Sequence, residues 1–135
     1  MEFETDVTGR LAYEADSHEP ARDDENVAAL QAAILDKLTY AVGKRRAIAT
    51  EHDWLMATSL ALRDQIVDRW LAGIDAAYQN GSKRVYYLSL EFLIGRLLFD
   101  NLNNLRKLDT MRAALAGLEV DLDKLRALEP DAALG

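Results

Sequence analysis

Cysteine is absent from this 135-residue chain, and histidine is scarce. Without cysteine the chain forms no disulfide, no thiolate nucleophile and no cysteine-ligated metal site. The two histidines, His18 and His52, have no partners at metal-ligand spacing, so we interpret both as surface residues and expect no metal. No apolar run approaches the roughly 18 residues that cross a membrane, and the acidic first residues are not typical of a signal peptide. We therefore expect a cytoplasmic protein.

Basic residues are also few, 16 against 23 acidic ones, so the net charge is −7 and the isoelectric point is about 4.8. Phosphate backbones and anionic lipid head groups repel a protein of this charge. The composition therefore argues against nucleic acid and membrane partners. Half of the residues are hydrophobic, and the length is sufficient for one domain with a core of its own.

The first 25 residues differ in composition from the rest of the chain. Residues 1 to 25 are rich in charged and small polar side chains and have no sustained apolar period. Such a segment buries too little apolar surface to offset the entropy of ordering, so we predict a mobile acidic tail. Residues 26 to 135 are predicted to form a helical domain. Ser17 has acidic neighbours in the tail, and we interpret it as an ordinary surface serine.

Two long amphipathic helices are predicted. Apolar residues recur every three or four positions from Asn26 to Val42, and Gly43 can adopt the left-handed conformation that ends this helix. Thr50 and Asp53 resemble a capping box that opens a second helix, from Glu51 to Gln79. The apolar stripe of the second helix is so wide that we expect it to be well buried.

Two short helices are predicted near the carboxyl end of the chain. Thr110 is expected to cap a helix from Met111 to Leu118. Asp121 is expected to cap a second short helix, which Pro130 ends. Both are interpreted as small packing helices.

The stretch from Lys83 to Glu91 has the composition of a strand that is covered on both faces. Val85 to Leu90 are apolar apart from Ser89, without the alternation of a half-buried strand. The predicted fold class is therefore mainly α, with at most one strand, which would join a parallel α/β sheet in a longer protein. Glu91 would then lie at the strand end where ligands bind, or it would form an ion pair with an arginine such as Arg96.

The run KRVYYLSLEFLIGR, residues 83 to 96, resembles the signature of the α-glucan phosphorylases, a family of glycogen, starch and maltodextrin enzymes. Residues 61 to 70, 101 to 105 and 129 to 135 are also similar to that family, in the same order. Because several blocks between about residue 26 and residue 135 carry the resemblance, the chain is identified as an amino-terminal segment of the family. The family continues beyond the last motif, so we expect the chain to be truncated at residue 135.

The resemblance implies an enzyme activity for the longer protein. The family catalyses phosphorolysis of α-1,4-glucans by inorganic phosphate to give glucose 1-phosphate, with pyridoxal phosphate as cofactor. The lysine that anchors this cofactor lies far downstream in the family. The five lysines of this chain occupy capping, helical or flanking positions: Lys37, Lys44, Lys83, Lys107 and Lys124. We therefore expect the chain alone to be inactive and to bind no cofactor.

The resemblance also implies the roles of five residues. Glu91 would line the glucosyl-phosphate site, and Leu134 and Gly135 would begin a loop whose later backbone amides meet sugar and phosphate. Trp70 and Tyr78 match aromatic positions of a nucleotide effector site and subunit interface, which implies a homo-oligomer.

Two features leave alternatives open. Ile74 and Asp75 stand where the animal enzymes carry glutamines, so an effector role for Trp70 and Tyr78 competes with simple packing in a core or interface. A different function class also remains, namely a stand-alone helical interaction module without catalysis.

Overall fold

The computed structural model describes residues 20–89 and 94–132, and these form a helical fold. Within them lie five α-helices: α1 Pro20–Asp36, α2 Glu51–Gln79, α3 Leu98–Asn104, α4 Leu108–Gly117 and α5 Leu122–Leu128. A π-helical turn, Lys37–Ala41, follows α1, and a 3₁₀ turn, Arg46–Ile48, precedes α2. The described part of the chain contains no β-strand, so the prediction of a mainly α fold is confirmed.

Helix α1 begins at Pro20, before the apolar period that predicted it, and it ends in a wider turn. Proline suits the first turn of a helix, where its missing N–H costs no hydrogen bond. In the π-helical turn, Val42 N donates to Lys37 O at 2.9 Å. Gly43 then adopts a φ of +75°, as expected of a residue that ends a helix. The prediction of a mobile tail at residues 1 to 25 falls mostly outside the described residues and stays a prediction.

The capping box at the start of α2 forms as predicted. Thr50 Oγ1 accepts a hydrogen bond from Asp53 N at 3.3 Å, and Asp53 Oδ2 accepts one from Thr50 N at 2.8 Å. The hydrogen bonds from the Thr50 backbone and then from its hydroxyl lower the pKa of Asp53, because they favour the ionised carboxylate. The helix then runs unbroken to Gln79, and Gly81 follows it with a φ of +59°.

One hydrophobic core joins α1, α3, α4, α5 and the first half of α2. Leu30, Ile34 and Leu38 lie four residues apart on one face and are buried together with Met111 and Leu115 of α4. Two long-range hydrogen bonds support this packing: Gln31 Nε2 donates to Ala114 O at 3.0 Å, and Arg46 donates to Leu118 O at 3.1 Å.

Burial of α2 stops halfway, so the expectation that the whole helix is well buried is wrong. Trp54 and Leu62 are 6% and 3% exposed, whereas Trp70 and Leu71 are 62% and 48% exposed. The apolar stripe continues, but no element of the described residues reaches far enough to cover it. We call residues 67–79 the projecting half of α2.

The stretch predicted as a strand does not belong to a β-sheet in the described residues. Residues 83 to 89 form neither helix nor strand, and Leu90 and Glu91 lie outside the described residues. Val85 and Leu88 are 88% and 91% exposed. A strand requires a neighbour that satisfies its backbone N–H and C=O groups, and the described part of the chain supplies no second strand.

The two short helices near the carboxyl end differ in how well they were predicted. Helix α4 begins before Thr110, so Thr110 lies inside the helix, and the N-cap residue Lys107 makes no side-chain cap hydrogen bond. The cap of α5 is as expected, since Asp121 accepts a hydrogen bond from Asp123 N at 2.9 Å. Helix α5 ends before Pro130.

Because only the first half of α2 is buried, a leucine-to-alanine substitution should change the free energy of unfolding differently in the two halves. We expect Leu62→Ala to lower the free energy of unfolding by about 2–5 kcal/mol, because it leaves a cavity in the core. Leu71→Ala, on the projecting half, should change the free energy of unfolding of the monomer by about 0.5 kcal/mol or less. Denaturant titration of both variants checks this. Equal losses for the two would contradict the described burial.

Candidate functional site

Three of the five candidate site residues lie outside the described residues, namely Glu91, Leu134 and Gly135. Their roles stay predictions. The described residues that flank them, 94–98 and 129–132, are joined by hydrogen bonds. Trp70 and Tyr78, the other two candidates, lie on the projecting half of α2.

Glu129, directly after α5, caps the amino end of α3. Its Oε1 accepts hydrogen bonds from the backbone N–H groups of Leu97 and Leu98, at 2.7 and 2.8 Å. Such short N–H···O distances are typical of a charged acceptor. The other oxygen, Oε2, is buried and has no hydrogen-bond partner among the described residues. Helix α3 has no cap from its own N-cap side chain, so a residue distant in sequence supplies the cap.

Asp131 and Ala132 bind the backbone of Gly95 on both sides. Asp131 Oδ1 accepts a hydrogen bond from Gly95 N at 2.8 Å, and Ala132 N donates to Gly95 O at 3.0 Å. Gly95 has a φ of +79°, a conformation that favours glycine. We call the segment Glu129–Ala132, with its four hydrogen bonds to residues 95–98, the carboxyl-terminal clamp.

The chain reverses direction after α2 and returns alongside it. Ser82 N donates to Ala77 O at 3.0 Å, which closes the turn around Gly81. Arg84 then lies against Tyr78: its guanidinium carbon is 3.8 Å from the ring centroid, and its Nη1 donates to the Tyr78 hydroxyl at 3.0 Å. Tyr78 therefore holds the returning segment in place.

A groove of about 530 Å³ lies between the projecting half of α2 and the returning segment. The residues that line it are Arg69, Trp70, Gly73, Ile74, Ala77, Arg84, Val85 and Tyr86. Trp70 thus lies in the groove, whereas Tyr78 supports one wall of it through Arg84. A Cβ built on Gly73 would have no heavy atom within 4 Å, so the groove is open above this residue.

The chemistry of the groove is aromatic and cationic. Two guanidinium groups, of Arg69 and Arg84, stand beside the exposed rings of Trp70 and Tyr86. Guanidinium groups bind carboxylates and phosphates through paired N–H donors, and aromatic faces accept flat apolar groups. The groove can therefore hold an anion joined to a ring, or a protein surface with carboxylates.

Sequence reasoning missed Arg69, Arg84 and Tyr86 as parts of this site. The available signal was the Asn80-Gly81 turn, because a turn of this type brings residues after it beside residues before it.

A second cavity, of about 210 Å³, lies between the start of α2 and the start of α5. Its lining includes three acidic residues, one lysine and Trp54, namely Glu51, Trp54, Glu119, Asp121 and Lys124. No group of histidine and acidic side chains among the described residues is arranged to hold a metal ion. Likewise, none of the helices in the described ranges is long and apolar enough to cross a membrane.

The lysines do not suit covalent attachment of pyridoxal phosphate. A Schiff-base lysine needs a depressed pKa, which burial in an apolar pocket supplies. Lys37 instead contacts Asp64 at 2.7 Å, and the hydrogen bond to this carboxylate raises the pKa of Lys37. The other four are exposed or half-exposed: Lys44, Lys83, Lys107 and Lys124.

Comparison with known proteins gives one consistent group of relatives. No known family profile matches the chain. Among curated proteins it is similar to the glycogen phosphorylase of Chlamydia pneumoniae, with 41% identity over 110 residues, which are 82% of this chain. It is also similar to the liver form from Homo sapiens and the muscle form from Ovis aries, 38% and 37% identical over 111 residues. In each case the match spans 13% of the relative's length.

The contact between Arg84 and Tyr78 predicts that Arg84 holds the groove together. Arg84→Ala should release residues 82–86 from α2, because it removes a cation–π contact and a hydrogen bond worth about 1–2 kcal/mol together. Amide chemical shifts of this segment, measured by NMR, should then move towards those of a disordered chain. Arg69→Ala is the matched control and should leave the segment in place. The same response to both variants would contradict the role of Arg84.

Proposed function

The chain is a homologue of the glycogen phosphorylases that corresponds to an amino-terminal segment of that family, and we propose that it forms this part of an α-glucan phosphorylase. The longer polypeptide would transfer the terminal glucosyl unit of an α-1,4-glucan to inorganic phosphate and release glucose 1-phosphate. The identity of 41% over 82% of the chain is the observation that supports this proposal most strongly. The chain spans 13% of that relative, so the activity is proposed for the longer polypeptide only.

In this proposal the chain contributes a wall of the active site. Glu91 would line the glucosyl-phosphate site, and Leu134 and Gly135 would begin the substrate loop. Glycine permits close approach of the backbone to an anion, which suits a loop that meets phosphate. Helices α1, α4 and α5, with their shared core, would form the support behind this wall.

Pyridoxal phosphate is proposed as the cofactor of the longer polypeptide. When bound, the cofactor would exchange a proton with the substrate phosphate. The lysines of this chain do not fit its covalent attachment, so residues beyond the chain would hold it. We assign no residue of this chain to cofactor binding.

The location and the partners follow from the same proposal. We assign the longer protein to the cytoplasm, with α-1,4-glucan and inorganic phosphate as substrates. The net charge of −7 supports the absence of nucleic acid and membrane from the partners. The domain division, an acidic tail at residues 1 to 25 followed by a helical part at 26 to 135, is retained as part of the proposal.

A second candidate function is an interaction module without catalysis. The exposed apolar side chains of the projecting half of α2 and of residues 85–88 favour it, since large apolar patches are typical of binding surfaces. The two functions are compatible, because the same surface would pack against the rest of a phosphorylase. Trp70 and Tyr78 would then belong to a subunit interface or an effector site.

The proposed activity is tested in the longer polypeptide, with the chain alone as the negative control. The longer polypeptide should release glucose 1-phosphate from glycogen, and the 135-residue chain should not.

In the longer polypeptide, Glu91→Ala should lower turnover about tenfold or more while the melting temperature changes by about 2 °C or less, because a carboxylate facing a cleft packs little. Glu119→Ala, which removes an exposed ion pair with Arg46, is the matched control. Full turnover with a lower melting temperature would make Glu91 structural.

The exposed apolar surface predicts that the chain alone self-associates. Light scattering at micromolar concentration should show a dimer or larger species, because association covers the projecting half of α2. Trp70→Glu should weaken this association, as a charge is costly to bury in an interface. Met56→Glu, at a 45% exposed position on the covered half of α2, should not. A stable monomer of the unsubstituted chain would refute this prediction.

A further inference from the structure

We propose that Glu129 and Asp131 are positioning residues, which fix the backbone at residues 95–98 against the backbone at residues 129–132. The carboxyl-terminal clamp itself is described by its four hydrogen bonds. What it positions rests on the proposed function: the segment that contains Glu91 and the loop that begins at Leu134.

The clamp joins the two segments close to their candidate site residues. Gly95 lies four residues after Glu91, and Ala132 lies two residues before Leu134. An extended chain spans at most about 3.6 Å per residue, so covalent geometry alone limits these connections to about 14 Å and about 7 Å. The hydrogen bond from Ala132 N to Gly95 O, at 3.0 Å, therefore ties both segments to one point of the fold.

Both sides of the clamp are anchored in the hydrophobic core. On one side Leu98 and Leu102 of α3 are 4% and 0% exposed, and on the other side Leu125 of α5 is fully buried. Helix α3 has only seven residues, too few to be stable alone, so its direction depends on its packing and on its cap. Glu129 supplies that cap through Leu97 N and Leu98 N.

The backbone between the two carboxylates is restricted by its sequence. Pro130 has a fixed φ, and a residue before proline is confined to extended conformations. Glu129 has a φ of −64° and a ψ of 121°, as this restriction requires. The backbone of this segment therefore has few accessible conformations. This restriction holds Glu129 and Asp131 at fixed positions relative to residues 95–98.

The clamp has two halves, one for each carboxylate, and a substitution can remove one half at a time. Glu129 binds the N–H groups of Leu97 and Leu98, and Asp131 binds the N–H group of Gly95. Replacement of one carboxylate removes one half and leaves the donors of the other half paired. The conservative variants Glu129→Gln and Asp131→Asn keep one acceptor oxygen each, lose the charge and carry an NH2 group in place of the second oxygen.

Amide hydrogen exchange on the 135-residue chain tests the clamp without any activity. Asp131→Ala should accelerate exchange at Gly95 and Ala132 about tenfold or more, while Leu97 and Leu98 change less. Asp131→Asn should restore part of the protection. Asp68→Ala, an exposed carboxylate on α2, is the matched control and should change none of these amides. Unchanged exchange at Gly95 in Asp131→Ala would overturn the clamp.

The kinetics of the longer polypeptide, with its cofactor bound, test the positioning role. Asp131→Ala and Glu129→Ala should each lower kcat for glycogen phosphorolysis about tenfold or more, with KM changed about twofold or less, because small displacements of a catalytic wall are costly in rate. Asp131→Asn and Glu129→Gln should restore part of kcat, and Asp68→Ala should match the unsubstituted enzyme.

The outcomes separate this inference from the proposed function. Variants that melt at lower temperature but keep full kcat when folded would show that the clamp is only structural, and would overturn the inference alone. An unsubstituted longer polypeptide without phosphorolysis would overturn the proposed function and the positioning role together. In that case the exchange measurements would still show whether the four hydrogen bonds exist.

Discussion

Helix α2 is longer than the core that covers it, and the rest of the structure depends on this mismatch. Its 29 residues span about 43 Å at 1.5 Å per residue, but α1, the π-helical turn and α5 cover only the first half. A helix can project in this way because its backbone hydrogen bonds are internal. Its apolar side chains, in contrast, are buried only where another element packs against them, so Trp70 and Leu71 stay exposed. The chain that follows starts at the far end of the helix, where the core is out of reach, and Val85 and Leu88 are exposed for the same reason.

The sequence was most informative where the deciding contacts are local. The capping box of Thr50 and Asp53, the left-handed Gly43 and the cap at Asp121 each depend on residues within a few positions, and each was predicted. The burial of α2 was not, because an apolar stripe indicates which face can be buried and not whether a partner is present. Thr110 was misassigned because a cap-forming side chain is equally compatible with a position inside the first turn.

In the candidate site, too, contacts between residues distant in sequence were not predicted. The resemblance to phosphorylases indicated Trp70, but not Arg84, whose contact with Tyr78 depends on the reversal of the chain at the turn. The carboxyl-terminal clamp was also missed as an arrangement, since Glu129 and Asp131 bind backbone groups more than 30 residues away. Backbone N–H groups are the same in every residue but proline, so no side-chain pattern marks where such carboxylates bind.

The charges in the groove limit what can cover the projecting half of α2. A wholly apolar surface would fit Trp70, Ile74 and Val85, but it would take Arg69 and Arg84 out of water without a counter-charge. Burial of an unpaired guanidinium costs several kcal/mol, which offsets much of what burial of the neighbouring apolar side chains contributes. Within residues 20–89 and 94–132, Arg84 contacts the neutral side chain of Tyr78, and no ion pair compensates its charge there. The covering surface must therefore bring carboxylate or phosphate oxygens to both arginines, whether it belongs to the rest of a phosphorylase, to a second copy of the chain or to a small effector.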